Sequence, residues 1–200
     1  MFQNGIDKNR LDFIRLREAK AISHFDCGDA DLNDFILNRA SAYQKQKLAV
    51  SYACVDSNDA SKVYAYCSLA NDKVALDDFK DKTEFNRFRK KRGFSNEKRL
   101  KSYPAVKLCR LGVENSVKGK QIGTTVIDFI KSMSALDSNA GCRFLTVDAN
   151  LNAVPFYEKN GFVRMNAKDD NPHTRLMYFD LNDIAGDPVW TFVQGETYAG

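Results

Sequence analysis

Residues 110–124, RLGVENSVKGKQIGT, constrain the fold of this chain more than any other stretch. The alternation that ends at Val113 reads as a strand, and Ile122, Val126, Phe129, Ile130 and Met133 recur at helical spacing over residues 119–137. A short basic loop joins the two. The first N–H groups of a helix lack internal partners and sit at the positive end of its dipole. Gly119 and Gly123 let those groups approach an anion with no Cβ in the way. Such a loop is built like a cradle for a phosphate or pyrophosphate, and Lys118 and Lys120 add charge. It is equally built like an ordinary strand–helix turn that uses glycine for packing. Neither the GxxxxGK[ST] pattern nor the GxGxxG pattern is present.

The rest of the chain alternates strands and helices. Residues 11–16, 48–55, 63–69, 105–113, 143–149 and 175–181 read as strands. Residues 25–46 read as a helix, with Asp29 or Asp31 as N-cap and Leu32, Phe35, Ile36 and Ala40 along its apolar side. The polar DSNDAS stretch joins the second and third strands as a hairpin. An antiparallel front half followed by β-α-β-α-β implies an α/β (α+β) fold with a mixed, mostly antiparallel central sheet flanked by helices. Two hundred residues suit one domain, 1–200, with a basic insertion at about 77–103 and a C-terminal extension at about 183–200. The apolar runs are too short for a membrane span, and the charged start is not a signal peptide. Five cysteines without paired spacing are neither a disulfide framework nor a zinc site. A reducing cytoplasm is the expected compartment.

A second stretch, residues 147–162, carries candidate chemistry. Asn152 is placed as a helix N-cap, Pro155 falls in the first turn, and Asn160-Gly161 stops the helix at about Lys159. Tyr157 lies within that short helix. A tyrosine whose hydroxyl reaches a cleft can protonate a leaving group. The bland alternative is a core or surface tyrosine, one of eight.

The two stretches together, in this order, resemble the GNAT superfamily of acyl-CoA-dependent N-acetyltransferases, over roughly residues 11–181. The family loop [Q/R]-x-x-G-x-[G/A] falls on KGKQIG, with Lys118 in place of Arg or Gln and Gln121 in place of the first Gly. The segment NAVPFYEKNGF is similar to the family's later motif and is the stronger match. The resemblance implies acetyl-CoA as acyl-donor substrate. Leu111, Gly112 and Val113 would offer strand backbone to the pantetheine arm. Lys118, Gly119, Lys120, Gln121, Ile122, Gly123 and Thr124 would hold the pyrophosphate. Asn152 would meet the pantetheine or thiol region, and Tyr157 would be the general acid. No metal is implied. No general base follows from the resemblance: the strand position where some members carry Glu is Lys107, and Glu114 reads as a strand-end surface residue.

A narrower likeness lies in residues 24–36, HFDCGDADLNDFI, which resemble the F-x-C-G-x-x-x-L-N-x-[FY]-L opening of acetyltransferase toxins from bacterial toxin–antitoxin pairs. Tyr103-Pro104 and the Arg110–Val113 run fit the same group. The implied acceptor is the amino group of aminoacyl-tRNA, with a small antitoxin protein and a homodimer among the implied assemblies. Charge fits a polyanionic partner. The chain carries +4, yet residues 80–101 hold ten Lys or Arg against three Asp or Glu. Within that island Arg87, Arg89, Lys90 and Arg92, together with Arg110, are the candidate substrate contacts; Phe85, Phe88 and Phe94 interleave with the arginines. A solvated basic helix accounts for the same island equally well. Two further readings stay open: acetylation of a protein or small-molecule amine without toxin activity, and an idle GNAT-fold module that binds CoA or nucleic acid.

Overall fold

The computed structural model describes residues 6, 10–17, 22–94, 100–136, 140–166 and 171–184. Their strands are β1 (Leu11–Arg15), β2 (Val50–Asp56), β3 (Asp59–Ala75), β4 (Ser102–Val113), β5 (Phe144–Asn150), β6 (Val163–Arg164) and β7 (Thr174–Asp180). They form one sheet in the order β1-β2-β3-β4-β5-β7-β6. Every neighbouring pair is antiparallel except β4 and β5, which run parallel. The expected mixed, mostly antiparallel sheet is therefore present, with β3 extending six residues past Leu69 and with the short β6 added.

Helices cover both faces. On one lies α4 (Ile122–Leu136), which buries Ile122, Val126, Ile127, Phe129 and Ile130 against Leu108, Leu145 and Val147. The short α5 (Val154–Lys159) joins the same core through Val154 and Tyr157. On the other face lie α1 (Ala30–Asp34), a π-helical turn (Phe35–Arg39) and α2 (Ala40–Lys45), which pack Phe35 and Ile36 on Ala53, Val55 and Tyr66. The period of residues 25–46 predicts helix from Phe25, but the helix starts at Ala30. Asp29 caps it, its carboxylate accepting the N–H groups of Asp31 and Leu32 at 3.0 Å. Gly28, at φ 77°, turns the chain into that cap.

The basic island forms α3 (Lys82–Lys91), capped by the Asp81 carboxylate on the Thr83 and Glu84 N–H groups. Phe85 and Phe88 are buried against Tyr103, Phe144 and Tyr178, so these rings serve the core and are not exposed stacking platforms. Two of the candidate substrate arginines are corrected for the same reason. Arg89 is only 7% exposed and donates from Nε to the Tyr103 hydroxyl at 2.7 Å. Arg92 pairs with Asp183 at 2.6 Å and Asp180 at 3.2 Å and donates to the Tyr178 hydroxyl. Arg87 and Lys90 remain exposed. Residues 95–99 of the island and residues 185–200 of the C-terminal extension, with Trp190 and Phe192, lie outside the described residues. Among the described residues no helix is long and apolar enough to cross a membrane, and no cluster of His, Cys, Asp or Glu is placed to hold a metal.

Candidate active site

The site begins where two strands part. β4 and β5 pair only at Ala105–Phe144, Val106–Leu145 and Lys107–Thr146. Beyond Lys107 the strands diverge, while the other edge of β4 stays paired with β3 as far as Val113. The register of that second ladder jumps: Arg110 pairs with Ser68, but Leu108 pairs with Leu69, leaving Cys109 as a bulge. The bulge resets the side-chain alternation. Leu108 and Leu111 both face the α4 core, and Arg110 and Gly112 both face the α1 side.

The fork holds a cleft of about 360 Å³. Leu111, Gly112 and Val113 line it from β4, and Asn150, Asn152 and Ala153 from the end of β5. Phe156 and Tyr157 close one side; Cys27 and Leu32 close the other. Gly123, in the first turn of α4, and Lys118 stand at its mouth. The structure thus gathers eight of the predicted positions, Leu111, Gly112, Val113, Lys118, Gly123, Asn152 and Tyr157 on the cleft wall and Ile122 at the helix start beside it. The Ile122 side chain itself is buried in the core, so only its backbone faces outward tasks. Asn152 is corrected as N-cap. It sits in a 3₁₀ turn (Leu151–Ala153), and Ala153 precedes α5 without a side-chain cap.

The glycines have separate jobs. A Cβ on Gly112 would stand 2.6 Å from the Tyr66 ring, so the strand can pass there only without a side chain. A Cβ on Gly123 would meet Phe156 at 3.2 Å, which fixes how closely α5 approaches the α4 N-terminus. The loop before α4 turns twice through the left-handed region, at Gly119 (φ 78°) and at Gln121 (φ 63°). Gln121 stands where the family loop has glycine, and the reason for that glycine is now visible: the position needs positive φ. Lys120 is exposed, and Thr124 is half-buried in the first turn. The first α-helical bond runs from the Thr125 N–H to the Gln121 carbonyl, while the Lys120 N–H already donates to the Val117 carbonyl at 3.2 Å, so the N–H groups at the helix start itself, Ile122 to Thr124, are the ones facing a ligand.

Lys118 is held rather than free. Its ammonium donates to the Cys27 carbonyl at 2.7 Å. That carbonyl belongs to a tight knot: the Asp26 carboxylate accepts the Gly28 N–H and the Asn33 amide, each at 2.8 Å. Asn33 Oδ1 in turn accepts the Cys27 N–H at 2.9 Å, and the Asn115 N–H donates to the Asp26 carbonyl. The two N–H hydrogen bonds, led by Gly28, hold the Asp26 carboxyl below its ordinary value. The FDCG…LN run is therefore a clasp between the start of α1 and the loop before α4. Spacing alone did not disclose this, since its partners lie about 90 residues away.

Tyr157 is 7% exposed, and burial alone pushes its phenol up to about 12. Among the described residues its hydroxyl makes no hydrogen bond. α5 ends in a paired C-terminal cap: Phe162 N–H to Tyr157 carbonyl at 3.0 Å and Gly161 N–H to Glu158 carbonyl at 2.9 Å, with Gly161 at φ 82°. Lys131 of α4 donates to the Asn160 carbonyl at 2.7 Å and lies over the Phe179 ring. On the opposite face Arg110 stacks on the Phe35 ring at 3.8 Å. Glu114 caps the turn at Ser116 and takes no part in the cleft.

A tyrosine on the wall of a cleft, a helix N-terminus at its mouth and an unpaired strand edge along its wall are the parts needed to hold a phosphorylated thioester and protonate its leaving sulfur. Residues 93–178 match the family described as acetyltransferase (GNAT) domain. Three solved structures superpose with high coverage. A KacT variant has a TM-score of 0.69 at 20% identity, covering 86% of this chain and 96% of that one. AtaT complexed with acetyl-methionyl-tRNAfMet gives 0.67 at 21%, covering 86% and 95%. An AtaT variant toxin, bound to the C-terminus of the antitoxin AtaR and acetyl-CoA, gives 0.63 at 21%, covering 86% and 94%. At this identity the likeness is one of fold.

Proposed function

We propose that the GNAT acetyltransferase domain matched over residues 93–178 takes the acetyl group of acetyl-CoA and transfers it to the amino group of an aminoacyl-tRNA. The observation that carries the transfer is the fork between β4 and β5, with Tyr157 on its wall and the α4 N-terminus at its mouth. In this reading the pyrophosphate lies against the first-turn N–H groups of α4, near Gly119 to Thr124. The pantetheine arm follows Leu111 to Val113 and reaches Asn152. The amine nitrogen attacks the thioester carbonyl carbon; the C–N bond forms, the C–S bond breaks, and Tyr157 hands its proton to the departing sulfur. N–H donors on the free edge of β4 steady the oxyanion.

Three features support aminoacyl-tRNA as the acceptor. The clasp of residues 26–33 carries the motif that resembles toxin acetyltransferases. AtaT, which shares the fold, has been solved with an acetylated methionyl-tRNA. Arg87 and Lys90 are exposed on α3 and available to phosphates. An α-amino group is also easier to use than a lysine side chain, with unperturbed pKa values of about 7.7–8.0 against about 10.4. A small antitoxin protein is the regulatory partner in this reading, and the enzyme works in the cytoplasm.

One observation favours a second reading. Arg89 and Arg92 are committed to internal contacts, so the basic surface is smaller than the charge count promises, and a protein or small-molecule amine fits that surface as well. Mass spectrometry of aminoacyl-tRNA incubated with labelled acetyl-CoA separates the two. Label on the aminoacyl nitrogen is expected. Label on free or protein amines alone favours the second reading, and acetyl-CoA binding without turnover on any amine defeats both.

A further inference from the structure

Two residues before Asn150 of the cleft wall, on the face shared by α1 and α3, the root of the fork is polar. Thr146 and Asp148 point to this face because Leu145, Val147 and Ala149 point to the other. Lys107 reaches across the fork to Asp148 at 2.5 Å, one step beyond the last paired residues of β4 and β5. Asp72 of β3 accepts the Thr146 hydroxyl at 2.5 Å. The exposed Cys109, at the bulge, lies within the field of Lys107, Arg110, Asp72 and Asp148. The Lys107 ammonium contacts Asp148, the Cys109 thiol and Asp72 carboxylate share their field, and Asp77, Asp78 and Lys73 lie beyond Asp72.

Burial draws the Lys107 ammonium down, but its bond to Asp148, aided by the charges of Asp148 and Asp72, outweighs that and holds it above its ordinary value. Lys107 therefore stays cationic and cannot act as a base. Burial pushes the Cys109 thiol up despite the neighbouring cations, so it stays protonated and is a poor nucleophile. Asp148 is half-exposed, with its side chain 46% accessible, and is the carboxylate open to a ligand at the root of the fork.

We propose that Asp148 is the proton-accepting residue of the acceptor-amine subsite, with Lys107 as the positioning residue that aims it and Asp72 as the second carboxylate that draws a cationic amine in. The inference rests on the acetyl-transfer reading above. The entering ammonium gives one proton to Asp148. The freed lone pair then forms the C–N bond as the C–S bond breaks. The new amide nitrogen sheds a second proton to solvent. Tyr157 supplies one proton to the sulfur and regains one from solvent, and Asp148 returns its proton to solvent, so one proton is released per turnover.

The test uses the full chain with acetyl-CoA and the amine acceptor that the wild type turns over, followed as kcat/KM against pH. Asp148→Asn is expected to lose about 100-fold at neutral pH, within the usual range for a positioned base. Its deficit should shrink as rising pH supplies neutral amine from solution, and its acetyl-CoA affinity should not change. Lys107→Met should lower kcat/KM at unchanged acetyl-CoA affinity, because Asp148 loses the cation that aims it, and Lys107→Arg should recover most of the loss. Asp148→Asn within twofold of wild type overturns the proposal. So does an equal loss at every pH, a parallel loss of acetyl-CoA binding, or a Lys107→Met variant as fast as wild type. A wild type that binds acetyl-CoA but acetylates no amine defeats the underlying reading instead, and the subsite with it.

Discussion

The Phe162 ring meets the Tyr157 ring nearly edge-on, at 5.5 Å and 72°, while the Phe162 N–H donates to the Tyr157 carbonyl at 3.0 Å. One residue thus ties down both the backbone and the ring of the other. Phe162 is 2% exposed and leans in turn on Phe179. The cap that ends α5 is therefore also the device that aims the phenol.

Tyr157→Phe should lower kcat by about 10²- to 10⁴-fold, the usual worth of a positioned acid. Acetyl-CoA affinity and melting temperature should hardly move, because the hydroxyl bonds to no described residue. With its phenol raised to about 12, Tyr157 is protonated at every ordinary pH, and its acid function is lost only as pH climbs toward that value. A kcat profile with an alkaline limb near neutrality would assign the acid to another group.

Gln121→Gly should stabilise the fold. A non-glycine residue in the left-handed region costs about 1–2 kcal/mol, and glycine's extra chain entropy returns about 0.5–1 kcal/mol of that. The net gain is about 0.5–1 kcal/mol, readable as a higher urea midpoint at unchanged slope. Gln121→Val should go the other way. Equal midpoints for all three side chains would show that the loop does not hold positive φ in solution.

Gly112→Ala should damage stability and ligand binding together. The new methyl would stand 2.6 Å from the Tyr66 ring, whose hydroxyl donates to the Leu32 carbonyl on the far wall of the cleft. Overpacking of this kind costs about 1–3 kcal/mol. Calorimetry should show weaker acetyl-CoA binding in the same variant. A variant that binds acetyl-CoA as wild type does would mean the strand shifts without disturbing the cleft.

The four candidate substrate residues of the basic island, Arg87, Arg89, Lys90 and Arg92, should split into two pairs. Arg87→Glu with Lys90→Glu should weaken tRNA binding and flatten its salt dependence, with little change in melting temperature. Arg92→Ala should instead lower the melting temperature, since it leaves the Asp180 carboxylate, 1% exposed, with one cation fewer. Unchanged tRNA binding in the first pair would remove α3 from the interface.

Much of this was legible in the sequence wherever the signal is local. Periodicity placed the strands and α4, and the Asn160-Gly161 step marked the end of α5. The motif singles out Tyr157 as a candidate, and the structure places it on the cleft wall. What escaped depends on partners far along the chain. The bulge at Cys109 shows only in the register against β3, and strict alternation would have turned Arg110 to the wrong face. The engagement of Lys118 by the Cys27 carbonyl spans 91 residues. The island's arginines looked alike in sequence; Arg89 and Arg92 are distinguished only by Tyr103, Tyr178, Asp180 and Asp183 folding back onto them. The count of charges was right, and the surface they were assigned to was too large.

Among the described residues the ladder that joins β1 through β4 to β5 through β7 has three residue pairs, with the Lys107–Asp148 and Thr146–Asp72 contacts beside it. Mechanically the sheet is two wings on a narrow seam, with the helix α4 lying across one face. Force or thermal motion that opens the sheet concentrates at that seam, where a bound acyl carrier would lie like a splint touching both wings. On the acetyl-transfer reading, loading such a carrier would add stiffness at that seam, and its departure after transfer would remove it.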